Sequence, residues 1–79
     1  MSIISDRLRD MRIINHMTQR EAAEKIGYST AALNAWEKGK CSPTAEALAL
    51  LVGIYDCSAD YVLGISDDVR KGETEYGNY

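Results

Sequence analysis

The 79-residue sequence predicts an all-α fold, five short helices around one compact core. Three observations carry that expectation. Apolar residues recur at spacings of three and four, the period of one helix face. Each stretch after the first is preceded by a hydroxyl residue suited to cap a helix, at Thr18, Ser29, Thr44 and Ser58. Polar and apolar residues never alternate for five positions among β-branched types, so strands have no competing signal. A chain this short buries only about 60% of its unfolded surface, which limits it to a single domain of modest stability.

Ile4, Leu8, Met11 and Ile14 form the stripe of the first helix, with Asp6, Arg9 and Asp10 elsewhere around it and Asn15 and His16 near its end. Thr18-Gln19-Arg20-Glu21 matches a capping box, in which the Thr side chain accepts from the Glu N–H and the Glu carboxylate reaches back to the Thr N–H. The second helix therefore starts there. Ala22, Ala23 and Ile26 give it a small apolar face, and Gly27, free of a Cβ, can close it in the left-handed conformation. Ser29 opens the third helix, 29–38, with Ala32, Leu33 and Trp36 inward and Gly39 as its stop. After KCSP, Thr44 caps the most hydrophobic helix, carrying Ala47, Leu48, Leu51, Ile54 and Tyr55, which ends at Asp56 or Cys57. Ser58 caps a short fifth helix through Tyr61, Val62 and Leu63 that stops at Gly64. The expected core is Leu8, Met11, Ala23, Ile26, Leu33, Trp36, Leu48, Leu51, Ile54 and Leu63, with Cys57 also buried. Residues 1–66 are read as the domain, and 67–79 as an acidic, disordered tail with few apolar anchors.

Composition removes several function classes. No run of about 18 apolar residues exists, and charge appears within six residues of the start, so neither a membrane span nor a signal peptide is expected; the protein is read as cytoplasmic. Cys41 and Cys57 fit neither a disulfide framework nor a metal-ligand spacing and are read as plain thiols. His16, the single histidine, belongs to no local nucleophile motif and is read as a surface turn residue; no phosphate-cradling glycine loop is present. No enzyme activity, metal or cofactor is expected. The net charge of −3 is unevenly distributed: seven basic residues face five acidic ones over 1–44, and two face six from Asp56 onward. The acidity thus belongs mainly to the tail, which leaves a mildly basic N-terminal part.

The second and third helices, joined by a very short glycine turn, have the organisation of a helix-turn-helix, whose second helix enters the DNA major groove N-terminus first. The chain resembles the phage-repressor and Cro-type helix-turn-helix family, called XRE, from Arg7 to Asp68: through RLRDMR, TQREAAEKIGYS, Leu33, WEKGKCSP and SADYVLGISDD. That resemblance implies a compact lambda-repressor-like five-helix domain that acts as a homodimer on a two-fold symmetric operator in double-stranded DNA, with helix 29–38 as the reader.

Carried over by position, Thr30, Ala31, Asn34 and Ala35 fall where the family faces base edges. Gln19, Ser29, Lys38, Lys40 and Ser42 fall at phosphate-facing places, and Arg9 can add to them from the first helix. Alanine at two base-facing positions departs from the Gln, Arg or Ser usual there. Because it donates no hydrogen bond, it reads only a thymine methyl or permits close approach, and weak direct readout follows. Arg12 and Glu37 match a structural ion pair between the first and third helices, and Tyr61, Val62 and Ile65 either form a dimer contact or close the core. The resulting expectation is a sequence-specific transcriptional regulator, a repressor by occupancy. Two other readings share the fold: an antitoxin that holds a toxin partner, with the C-terminal tail as one attachment, and an interaction module that no longer binds DNA.

Overall fold

The computed structural model describes residues 2–70. Five helices follow in order: α1 (Ile3–Ile14), α2 (Gln19–Ile26), α3 (Thr30–Glu37), α4 (Ala45–Tyr55) and α5 (Ala59–Leu63), with no strand among the described residues. Every helix begins on a side-chain cap that satisfies one of its free N–H groups. The hydroxyls of Ser2, Thr18, Ser29, Thr44 and Ser58 accept from the N–H three residues on. The capping box of α2 is complete, with the Glu21 N–H donating to Thr18 Oγ1 at 3.0 Å and the Thr18 N–H to Glu21 Oε1 at 2.8 Å.

Gly27, at φ 77°, ends α2 in the left-handed conformation, and Tyr28 and Ser29 complete the step into α3. The two helices pack on each other, α2 also on α4, and α3 on α1. α1 additionally packs against α4 and α5. The core draws Leu8 and Met11 from α1, Ala22, Ala23 and Ile26 from α2, Leu33 and Trp36 from α3, and Ala47, Leu51 and Tyr55 from α4. Cys57 and Val62 complete it.

The core differs from its sequence reading in three places. Ile14 is exposed, because the stripe of α1 that packs runs Ser5, Leu8, Met11 and then Asn15, with Ile4 packed against its start. Asn15 can take the inward position because its Nδ2 donates to the carbonyls of Met11 and Tyr55, at 2.8 and 3.1 Å. In α5, Val62 is fully buried and Leu63 is exposed, the reverse of the expected order. One and a half turns are too few for periodicity to separate adjacent residues. Leu48 and Ile54 pack on the core only half-buried.

Arg7 ties the two ends of the fold. Its Nη1 donates to the carbonyls of Tyr61 and Ser66, at 2.6 and 2.9 Å, and its Nη2 to Asp67 Oδ1 at 2.9 Å. The guanidinium carbon also stands 4.1 Å from the centroid of the Tyr61 ring, within cation–π range. Of the segment read as a disordered tail, residues 67–70 are described: the Ser58 N–H donates to the Val69 carbonyl at 2.9 Å, and Arg70 pairs with Asp68. Residues 71–79 lie outside the described part.

Candidate nucleic-acid interface

Leu33 and Trp36 anchor α3 from beneath, and the Tyr28 ring meets Trp36 edge-on at 5.3 Å, fixing the turn before the helix. At 3.6 residues per turn, Ala31, Asn34, Ala35 and Lys38 fall within an arc of about 100° on the opposite side. Ala31 and Lys38 are exposed, and Asn34 and Ala35 are half-buried. Thr30 stands exposed at the start of the helix. Lys40 and Ser42 are exposed in the loop that follows. Ser29 Oγ accepts from the Ala32 N–H at 3.1 Å, which leaves its own O–H free to donate outward.

One edge of this face continues into a polar chain reaching the core. Glu37 is 3% exposed, its carboxylate gripped in a fork by Arg12: Nε to Oε2 at 2.7 Å and Nη2 to Oε1 at 2.9 Å. Arg12 Nη1 donates to the Met17 carbonyl at 2.8 Å, so one guanidinium fixes both α3 and the turn between α1 and α2. Oε1 of Glu37 also accepts from Gln19 Nε2 at 3.1 Å, and Gln19 Oε1 accepts from Asn34 Nδ2 at 3.3 Å. Asn34, on the outer side of α3, is thereby joined through Gln19, the first residue of α2, to a buried carboxylate.

The electrostatics follow these contacts. The hydrogen bonds to Glu37 raise the Arg12 pKa against the opposing effect of burial. Burial first, and then the charge of Glu37, push the Tyr55 phenol far above its ordinary range. The Thr18 backbone and side-chain hydrogen bonds hold Glu21 below the usual carboxylate value.

The structure brings Gln19, Asn34, Glu37 and Arg12 into direct contact and lines Thr30, Ala31, Ala35 and Lys38 along α3. Arg9 stands apart, its guanidinium paired with Asp6 on its own helix at 3.4 Å. Val62, read as a dimer-contact candidate, is fully buried within this chain and unavailable to a partner, because the short α5 must supply one side chain to close the core. Tyr61 is half-buried under Arg7, and Ile65 is 73% exposed. The Glu37–Gln19–Asn34 chain had no signature in the sequence, since Gln19 lies 15 and 18 residues from its two partners, on the other side of the turn between α2 and α3. Among the described residues, no cluster of three His, Cys, Asp or Glu side chains could hold a metal ion, and no helix is long and apolar enough to cross a membrane.

A helix-turn-helix family model matches residues 8–62. The chain is 37% identical over 62 residues to the uncharacterized HTH-type transcriptional regulator YobD of Bacillus subtilis, covering 78% of this chain and 55% of that protein. It is 33% identical over 75 residues to the HTH-type transcriptional regulator ImmR of the same organism, covering 95% of this chain and 59% of that one. The chain thus spans little more than half the length of these relatives. Among solved structures, the P22 c2 repressor in complex with a synthetic operator superposes with a TM-score of 0.73 at 27% identity, over 78% of this chain and 94% of that one. The N-terminal DNA-binding domain of SinR from Bacillus subtilis gives 0.73 at 22% identity, over 92% and 96%, a likeness of fold.

Proposed function

From the premise that the chain belongs to the helix-turn-helix family, we propose that it is a sequence-specific transcriptional regulator that represses by occupying a two-fold symmetric operator as a homodimer. The observation that carries this is the outward side of α3, anchored on Leu33 and Trp36 and flanked by Gln19 and the exposed Lys38 and Lys40. The relatives named as transcriptional regulators and the operator-bound repressor among the structural neighbours support it.

Thr30, Ala31, Asn34 and Ala35 face the base edges, with the alanines contributing apolar contact and close approach. Gln19, Ser29, Lys38, Lys40 and Ser42 meet phosphates, helped by the free N–H groups and dipole at the start of α2. Arg9 joins them only after releasing Asp6. With few cations on this face, the dependence on salt is shallow, about 0.9 in log–log slope for each phosphate neutralised. Ile65 offers apolar area to a second copy; Tyr61 lies beside it on the same short helix and turn. Residues 1–66 form the DNA-binding domain.

Selection of bound sequences from a random DNA pool, followed by gel shift on the enriched site, tests this. The expected product is an inverted repeat bound with a salt slope well short of −10, the value of a repressor rich in phosphate contacts. Failure to enrich any sequence at low salt would overturn it.

A further inference from the structure

We infer that Gln19 is a positioning residue for Asn34, and that Glu37, acting through Gln19, turns the Asn34 amide so that it selects an A·T pair. The inference rests on the DNA-binding reading above and assigns the specificity of that face to one side chain.

The orientation follows from what each group can donate. A carboxylate paired with Arg12 only accepts, so the atom of Gln19 facing Glu37 Oε1 at 3.1 Å must be its Nε2. The Gln19 carbonyl then points the other way and can only accept, so the atom of Asn34 facing it at 3.3 Å must be Nδ2. One buried charge thereby sets two amides in series. Asn34 spends one N–H on Gln19 and retains a second N–H and Oδ1, which takes no hydrogen bond among the described residues. A paired donor and acceptor on one amide is complementary to adenine, whose major-groove edge presents the N7 acceptor and the N6 donor.

The neighbours of Asn34 cannot supply that selection. Ala31 and Ala35 carry no polar atom, and Lys38 lacks an acceptor. Thr30 has a freely rotating hydroxyl that suits either a donor or an acceptor on the base. Asn34 is the one side chain on the arc with both functions, and the one whose orientation is held from the core. A free asparagine could present its amide either way round; the contact with Gln19 removes that ambiguity before DNA arrives.

The test is a base-by-base substitution of the selected operator, with each affinity measured relative to the best site for the wild type, Asn34→Ala, Gln19→Met and the double variant. Gln19→Met keeps the length of a half-buried side chain and removes only its amide; Gln19→Ala serves if that variant does not fold. The wild type should prefer A·T at one half-site position by about tenfold or more. Asn34→Ala should abolish that preference alone. Gln19→Met should weaken it at the same position, while lowering affinity uniformly elsewhere through its lost phosphate contact. The double variant should discriminate no worse than Asn34→Ala. Gln19→Met with an unchanged base profile would reduce Gln19 to a phosphate contact and overturn the coupling. Asn34→Ala with no changed position, or a preference for G·C there, would overturn it equally. A wild type that selects no sequence would instead defeat the DNA-binding reading itself, a result distinct from the others.

Discussion

Replacing Glu37 by alanine tests how much the fold depends on the buried carboxylate. Glu37 is 3% exposed and accepts three hydrogen bonds, two from Arg12 at 2.7 and 2.9 Å and one from Gln19 at 3.1 Å. Truncation leaves the Arg12 guanidinium with the Met17 carbonyl at 2.8 Å and a side chain only 14% exposed to water. Removing one partner of a buried pair costs about 3–5 kcal/mol, chiefly because the surviving charge is stranded. The residual exposure of Arg12 and its bond to Met17 place the cost at the lower end, about 3 kcal/mol. The total stability of a domain this size is on the order of 4–12 kcal/mol, so the loss takes roughly a quarter to three quarters of the margin. In urea the midpoint should fall with the slope unchanged, and the thermal midpoint should drop by about 12–24 °C. Pairing Glu37→Leu with Arg12→Met should recover much of the loss, since two apolar groups strand no charge. A loss below about 1 kcal/mol for Glu37→Ala, the range of an exposed pair, would refute the reasoning. So would strict additivity of the Glu37→Leu and Arg12→Met effects in the double variant.

Gly64 sits at φ 83°, and a Cβ there would lie 3.0 Å from Ile3 Cγ2, whereas Gly27, at φ 77°, has open space. Gly27→Ala should therefore cost about 1–2 kcal/mol in thermal melts and Gly64→Ala more, the excess vanishing in an Ile3→Ala background; persistence of the excess there would rule out the clash. Glu21 titrates below its ordinary value through its bonds to Thr18, so the cap of α2 contributes stability above that ordinary value and loses it as pH falls through the folded-state pKa. Carboxyl NMR should show the Glu21 titration rising only part of the way towards the usual range in Thr18→Ala, which keeps the Thr18 N–H bond to the carboxylate and loses the hydroxyl; a full return in that variant would contradict the backbone bond as the larger cause. Lys38→Ala and Lys40→Ala should each flatten the log–log salt slope of binding by about 0.9, equally for all DNA sequences. A base-dependent loss would mean that the lysine reads sequence rather than phosphate.

Much of the fold was legible because the helix starts are written locally. Thr18, Ser29, Thr44 and Ser58 each satisfy a backbone group three residues away, and the Thr18–Glu21 box needs nothing beyond its own four residues. The third helix could be divided into an inner and an outer side because Leu33 and Trp36 stand three apart among small or polar neighbours. What could not be read depends on distant partners. Asn15 turns inward, half-buried, in place of Ile14 only because the end of α4 presents the Tyr55 carbonyl to it. Arg7 looks like any surface arginine until the chain returns 54 residues later with the Tyr61 carbonyl. The Arg12–Glu37 pair could be expected from resemblance, whereas its extension through Gln19 to Asn34 required the spatial approach of α2 and α3.

The polar chain from Glu37 to Asn34 also bears on how such a domain can diversify. Thr30, Ala31, Ala35 and Lys38 make no side-chain hydrogen bond among the described residues, so an altered residue there changes what α3 presents without disturbing what holds it in place. Asn34 is different, because a substitution there reaches Gln19 and, through it, the carboxylate that joins three helices. Four positions on the outer face are free to drift independently, while the fifth can change safely only in step with Gln19. Variation across that surface is therefore uneven by construction, with new targets reached most readily by rewriting the alanines and leaving the asparagine alone.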